Sequence, residues 1–222
     1  SNKAGSVNLN EIADTVRYMQ DSIAKYDKYD FAIVECFLAA NTEIAFPDYT
    51  FFQGFRAFPV VEIKNAVFRY IKFTGDFKMN NLEIVNDYEF TNSIFNGIFS
   101  CDKVKYVGYQ AFRYSVFDGA FECPNLTSVG VQAFRYSVFN DVFECPNLQT
   151  VGEYAFLNSV FDGSFECPNL SSVGPSAFQY SQFNGVFNCP NLQTVGISAF
   201  LVSVFDGAFE CPNLSSVGTS AF

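Results

Sequence analysis

The chain has 222 residues, a formal net charge of −10 and no histidine. The acidic balance excludes nucleic acid as a partner, because phosphate backbones need clustered Lys and Arg. Without histidine the usual general base and the commonest zinc ligand are absent, so neither an enzyme nor a cofactor is predicted, and no apolar run reaches the roughly 18 residues of a membrane-spanning helix.

Residues 1–37 differ from the rest and are predicted to form an N-terminal cap. Apolar residues at intervals of three and four predict an amphipathic helix from about residue 9 to residue 26, and the apolar run 31–38 predicts a buried strand. A solenoid end exposes unpaired backbone and apolar surface, which such a segment covers. A separate helix that binds a partner is the alternative. The helix positions are Leu9, Ile12, Val16, Met19 and Ile23.

From residue 38 onwards the sequence repeats every 22 residues, most clearly at FECPNLTSVG (121–130). A fixed period of this length predicts stacked coils, each in contact only with its neighbours. The expected fold over residues 38–222 is a mainly β repeat solenoid of about nine coils, the last of them incomplete. Its marker positions are Leu38, Val60, Leu82, Val104, Leu126, Leu148, Leu170, Leu192 and Leu214.

Within one coil, inward and outward positions alternate along SVFDGAFEC (115–123), as in extended chain. The positions of Phe117, Phe121 and Cys123 hardly vary between copies and are predicted to face inward. The positions of Val116 and Glu122 accept polar residues in other copies and are predicted to face water. Asp-Gly or Asn-Gly predicts one tight turn, and the glycine after each valine predicts a second bend with positive φ.

Six of the seven cysteines share one position of the repeat. Residues at one position stack about 4.8 Å apart and point the same way, which favours buried, reduced thiols over disulfides. The chain has no CxxC motif, so no metal site is predicted. The column comprises Cys101, Cys123, Cys145, Cys167, Cys189 and Cys211.

The phrase VGxxAF, as in VGEYAF (151–156), followed by a cysteine three residues before a leucine, resembles the leucine-rich repeats of BspA-like surface proteins. The resemblance covers roughly residues 38–222. The chain departs from that pattern in its 22-residue spacing and in the segment rewritten around SVFDGAF. The resemblance implies a parallel β-solenoid of leucine-rich-repeat type, often secreted or displayed on the cell surface and used in adhesion.

Two surfaces are candidates for binding a protein or a glycan. One is a bend that carries Arg–Tyr pairs, residue types that anchor interfaces. The other is an outward apolar stripe on the strands. Simple packing between coils is the alternative for both. The bend comprises Arg69, Tyr70, Arg113, Tyr114, Arg135, Tyr136 and Tyr180, and the stripe comprises Val116, Val138, Val160 and Val204 beside Val142 and Val186.

These patterns predict a non-enzymatic binding or adhesion protein of the cell surface or the secreted fraction. A purely structural spacer is the first alternative, and a glycosidase that uses the repeated carboxylates is the second. The sequons at Asn125, Asn169 and Asn213 occur in every second coil and indicate duplication of a 44-residue pair of coils rather than modification.

The last coil stops at Phe222 with its apolar rungs unshielded. Because an uncovered solenoid end exposes strand edges, we expect either that the natural chain continues or that another molecule covers this end. The simplest cover is a second copy, end to end about a two-fold axis.

Overall fold

A computed structural model describes residues 51–52, 55–56, 72–73, 75–79 and 82–222. The predicted N-terminal cap, residues 1–37, lies outside these residues. Within them the backbone forms 23 short strands and no helix. The described chain is therefore mainly β, as the repeat predicts.

The strands form three parallel sheets, because successive coils add one two-residue strand to each sheet. The first sheet contains Phe51–Phe52, Lys72–Phe73, Ile94–Phe95, Val116–Phe117, Val138–Phe139, Val160–Phe161, Gln182–Phe183 and Val204–Phe205. The second contains Phe55–Arg56, Phe77–Lys78, Phe99–Ser100, Phe121–Glu122, Phe143–Glu144, Phe165–Glu166, Phe187–Asn188 and Phe209–Glu210. The third contains Ile84–Val85, Tyr106–Val107, Ser128–Val129, Thr150–Val151, Ser172–Val173, Thr194–Val195 and Ser216–Val217.

Neighbouring coils pair at the predicted spacing of 22 residues, as where Phe117 lies opposite Phe139. One step differs, because Phe51 pairs with Lys72, 21 residues later. In the second sheet the same two coils keep the predicted spacing, since Phe55 pairs with Phe77; the marker positions before Leu82 lie outside the described residues. The total of about nine coils reaches beyond the described residues and stays a prediction.

Each of the regular coils bends three times rather than twice. The bends lie at residues 118–119, 124–125 and 131–136 in one coil, and each separates two sheets. Residues 115–123 are therefore two strands with a bend between them rather than one extended segment. This bend buries Ala120, which the alternation predicts to face water and which is 7% exposed.

The glycines after the valines serve close approach rather than a positive φ. A Cβ on Gly130 would lie 2.7 Å from the carbonyl oxygen of Val107, and one on Gly152 would lie 2.9 Å from that of Val129. Such contacts are too short for any side chain, so these glycines let consecutive coils stack. The prediction of positive φ is wrong for all six: Gly108, Gly130, Gly152, Gly174, Gly196 and Gly218.

Positive φ occurs instead at non-glycine residues of the third bend, such as Gln132 (φ 56°) and Tyr136 (φ 62°). Successive four-residue turns build this bend: the N–H of Arg135 donates to the Gln132 carbonyl (3.1 Å), and the N–H of Ser137 donates to the Phe134 carbonyl (3.0 Å). Phe134 is thereby buried, while Arg135 and Tyr136 reach the surface.

Val202 is a residue at which the strain of a positive φ can be measured. It has φ 60° and is 62% exposed, although β-branched residues are disfavoured in the left-handed region. Asn158 holds the equivalent position two coils earlier with φ 57°. We expect Val202→Asn to raise the free energy of unfolding by about 1 kcal/mol in urea denaturation. Val204→Asn, in an exposed strand, is the control, and an equal gain there would contradict the strain argument.

Three phenylalanine ladders fill the interior. Phe117 stacks on Phe139 with ring centres 5.0 Å apart and planes 2° apart, while Phe121 meets Phe134 edge to face at 5.3 Å and 90°. Both arrangements are favourable for aromatic rings. The inward prediction for Phe117, Phe121 and Cys123 is confirmed. The ladders are Phe73, Phe95, Phe117, Phe139, Phe161, Phe183 and Phe205; Phe77, Phe99, Phe121, Phe143, Phe165, Phe187 and Phe209; and Phe90, Phe112, Phe134, Phe156, Phe178, Phe200 and Phe222.

Candidate functional site

The third bend brings two Arg–Tyr pairs together on the outside of adjacent coils. The rings of Tyr114 and Tyr136 stack 4.8 Å apart, with 3° between their planes. The guanidinium carbon of Arg113 lies 4.7 Å from the centre of the Tyr114 ring, and that of Arg135 lies 4.8 Å from the centre of the Tyr136 ring. These distances are within cation–π range. We call these four residues the Arg–Tyr stack.

Two glutamines hold the arginines in place. Arg113 donates one hydrogen bond to Gln110 Oε1 (3.0 Å) and one to Tyr114 Oη (3.2 Å). One coil later, Arg135 donates in the same way to Gln132 Oε1 (3.4 Å) and to Tyr136 Oη (3.1 Å). Gln110 Nε2 donates to Gln132 Oε1 (2.7 Å), which links the coils. Neither glutamine is among the site residues predicted from sequence, although each lies three residues before its arginine.

The Arg–Tyr stack carries two positive charges on an acidic chain. Among the described residues no carboxylate lies within ion-pair distance of either guanidinium, whereas Lys78 pairs with Asp76 at 3.0 Å. The Nε atoms of Arg113 and Arg135 are buried without a hydrogen-bond partner in this part of the chain. The hydrogen bond from Arg135 lowers the pKa of Tyr136, and the positive charge of Arg135 acts in the same direction.

Four of the seven residues predicted for this bend therefore come together. Tyr180 is 50% exposed but lies two coils beyond Tyr136, and Asn158 occupies the position between them. Arg69 and Tyr70 lie outside the described residues. Within the described residues, the expected row consists of a two-coil stack and a separate tyrosine.

The outward valines of the first sheet form a short apolar stripe. Val116, Val138 and Val160 pair in register and are half-buried. Exposed Gln182 pairs with Val160 on the far side and interrupts the stripe before Val204. We call Val116, Val138 and Val160 the valine stripe.

The Arg–Tyr stack and the valine stripe adjoin. Tyr114 precedes Val116 by two residues, and Tyr136 precedes Val138 by two, with one buried serine between them. Ser137, which lies between Tyr136 and Val138, donates its hydroxyl to the carbonyl of Phe112 (2.7 Å). Each of these two coils therefore presents a tyrosine and a valine from one segment that hydrogen bonds hold in place.

Val142 and Val186, which were predicted to lie beside the stripe, are also half-buried. Each lies just before a strand of the second sheet. Glu122, Glu144 and Glu166 pair in register on the outer face of that sheet. Like charges in such positions repel one another, which makes this row a solvated face rather than a packed one.

The turn aspartates contact neighbouring asparagines instead of converging on a ligand. Asn140 Nδ2 donates to Asp118 Oδ1 (2.7 Å), and Asn184 makes the same bond to Asp162. Within the described residues no group of three or more acidic or cysteine side chains is arranged to hold a metal ion.

The repeat cysteines are free; five are buried and Cys211 is half-buried, which confirms the predicted column. Burial raises the pKa of the thiols at Cys101, Cys145, Cys167 and Cys189 well above the ordinary value. For Cys211, in the last described coil, burial raises the pKa to about 12. These five thiols therefore stay protonated at neutral pH, and a protonated thiol is unreactive.

The sequon asparagines take part in a stacking contact. Asn125 and Asn213 donate their side-chain amides to carbonyl groups of the preceding coil at 2.6 and 2.9 Å. Asn147 and Asn191, which belong to no sequon, donate in the same way at 2.8 and 2.9 Å. Asn169, the remaining sequon asparagine, donates instead to Asn147 Oδ1 (3.5 Å). The carbonyl contact is therefore shared by coils with and without a sequon.

Stacked coils with three parallel sheets and a repeated outer surface define a β-solenoid of the kind that binds partners along its coils. The model of the BspA type leucine rich repeat region matches residues 61–184 in six copies. The chain belongs to this family, whose solenoids suggest a protein-interaction surface and are typically surface-associated. No curated protein and no solved structure gives a match.

The part of the chain that the structure describes contains no helix long and apolar enough to cross a membrane.

Proposed function

We propose that this protein is a non-enzymatic binding or adhesion protein of the cell surface or the secreted fraction. Its binding surface is the Arg–Tyr stack with the adjoining valine stripe, and its ligand is a protein, with a glycan as the second candidate. The observation that carries this proposal is the contiguity of the two features: rigid Tyr and Arg side chains beside exposed apolar surface are typical of interface hot spots.

The two alternatives explain less of this surface. A spacer needs stacked coils but has no use for two guanidinium groups without a carboxylate. A glycosidase needs two carboxyl groups with different roles on either side of one bond, whereas Glu122, Glu144 and Glu166 repeat in register along an open face. Hydrolysis assays with the wild type and Glu144→Gln test the glycosidase.

An array of extracellular proteins and glycans, probed with the labelled chain, tests the proposed function. We expect saturable binding that Tyr136→Asn or Val138→Gln weakens by about tenfold, as loss of a hot-spot side chain does. Glu144→Asn, on the second sheet, is the matched control and should bind normally. All three replacement residues occur at the equivalent position of another coil, so the fold should tolerate them.

Absence of saturable binding to every protein and glycan would contradict this proposal and favour the spacer. Binding that neither Tyr136→Asn nor Val138→Gln alters would assign the activity to another surface.

The end-to-end homodimer is a further part of the proposal. The coil that ends at Phe222 leaves Phe205, Phe209 and Leu214 half-buried and Phe222 55% exposed. Contact with the same face of a second copy would cover these rings. Sedimentation velocity should show a dimer as concentration rises, and a monomer throughout would exclude it.

A further inference from the structure

The Arg–Tyr stack and its two glutamines present mainly hydrogen-bond donors, because each acceptor oxygen already takes at least one hydrogen bond. Gln110 Oε1 accepts from Arg113, and Gln132 Oε1 accepts from both Gln110 and Arg135. The oxygen of Tyr114 accepts from Arg113, so its own O–H is left to donate. A guanidinium has five N–H donors; the described contacts use two in each arginine, and the Nε–H is buried, so two N–H groups of each arginine remain for a ligand. A complementary ligand must therefore be rich in acceptors.

The positive charge of the Arg–Tyr stack also favours a ligand that carries acceptor oxygens. Arg113 and Arg135 belong to adjacent coils and cover rings 4.8 Å apart, with no carboxylate of the described chain within ion-pair distance. One carboxylate has two oxygens that accept separate charge-assisted hydrogen bonds. A single such group can contact both guanidinium groups and reduce their mutual repulsion.

Two observations favour a protein over a glycan as the source of that anion. Arg113 lies over the Tyr114 ring, and Tyr136 stacks against that ring as well, so both residues compete with a sugar ring for the aromatic faces. The valine stripe beside the stack offers apolar contact, which aliphatic side chains of a peptide fill better than hydroxyl groups do.

We propose that Arg113 and Arg135 together bind one carboxylate group, an Asp or Glu side chain, of an extended segment in a protein partner whose apolar side chains lie on the valine stripe. This inference rests on the proposed function and specifies its partner. The arginines supply the charge, the two tyrosines fix the arginines in position, and the valines supply the apolar contact.

Two peptides provide the probes, one alternating Val with Glu and one alternating Val with Gln, measured by calorimetry at low salt. We expect the Glu peptide to bind at least about tenfold more tightly, the difference expected for hydrogen bonds between charged groups. Arg113→Gln with Arg135→Gln should abolish that preference. Gln179 occupies the equivalent position in a later coil, so the substitutions fit the repeat. Lys105→Gln removes an exposed cation elsewhere and should leave the preference unchanged.

A spectroscopic measurement provides a second readout. Because Arg135 lowers the pKa of Tyr136, a carboxylate bound to Arg135 should raise that pKa again. Titration of phenolate absorbance with the Glu peptide present should show one tyrosine shifting upward, and the Gln peptide should produce no shift.

Equal affinity for the two peptides, no binding of the Glu peptide, or an unchanged preference in the double variant would overturn the inference. Binding of a heparin fragment in place of the Glu peptide would also overturn it and identify a sulfated glycan. A protein partner from the array that depends on Val138 but not on the arginines would overturn the carboxylate site and leave the proposed function intact.

Discussion

Replacing Phe165 by alanine is expected to lower the free energy of unfolding by about 3–5 kcal/mol, since a large buried side chain leaves a cavity that close-packed neighbours fill only in part. Phe165 is fully buried and stacks on Phe143 at 4.9 Å and on Phe187 at 5.0 Å. The substitution therefore removes ring contacts to the coils on both sides. Urea denaturation followed by circular dichroism measures the loss.

The control for this experiment is Val160→Gln in the same coil. Val160 is half-buried on the outer face, and Gln182 holds the equivalent position in the next strand. The expected cost is below about 1 kcal/mol, as for most surface substitutions. Equal losses for the two variants would contradict the division into inner and outer positions.

Suppressed thiol reactivity is the second large effect that we expect. The thiolate is the reactive form of cysteine. Since burial raises the pKa of Cys211 to about 12, at pH 8 it should be alkylated more slowly than an ordinary thiol, by roughly a hundredfold once the greater nucleophilicity of its thiolate is included. Cys101, Cys145, Cys167 and Cys189, whose pKa burial also raises well above the ordinary value, should likewise react slowly. Mass-mapped alkylation of the native and the denatured chain measures the difference.

The same thiols make stability depend on pH in the alkaline range. Unfolding returns them to an ordinary pKa of about 8.5, so above that value the unfolded chain loses protons that the folded chain retains. The free energy of unfolding should therefore fall as the pH rises from about 8.5 towards 12. A urea midpoint that stays flat across this range, or disulfide-linked peptides from the native chain, would contradict the buried column.

The stacking of the coils is predictable from sequence because each position of the repeat is sampled several times. Phe117 recurs unchanged in later copies, whereas the position of Val116 also accepts Gln182. A buried position does not accept a polar residue such as glutamine, so the residues found at each position of the repeat distinguish inner positions from outer ones. The three bends were harder to predict, since a strand of two residues is too short to show a period of two.

Backbone conformation was the least predictable feature. The positive φ of Tyr136 carries little sequence signal, because glycine and asparagine are the residues that usually mark it. Gly130, which suggests positive φ, is needed for contact with the preceding coil. A single copy of the repeat contains no information about that contact.

The candidate site was predicted in part for a similar reason. The pairing of Arg113 with Tyr114 is visible in the chain, and so is the interruption of the row at Asn158. The roles of Gln110 and Gln132 arise from hydrogen bonds that join two coils. Such bonds depend on side-chain direction within a bend whose shape the sequence does not reveal.

The alternation of aspartate and asparagine at the first bend sets the increments in which this protein can change length. Asp118, Asn140, Asp162 and Asn184 follow one another in successive coils, and each asparagine donates to the aspartate before it. Deletion of 44 residues, which is two coils, keeps an asparagine next to each aspartate. Loss of 22 residues would bring Asp118 beside Asp162 and leave two carboxylates in contact. The module that evolution or a protein engineer can insert or delete is therefore the pair of coils.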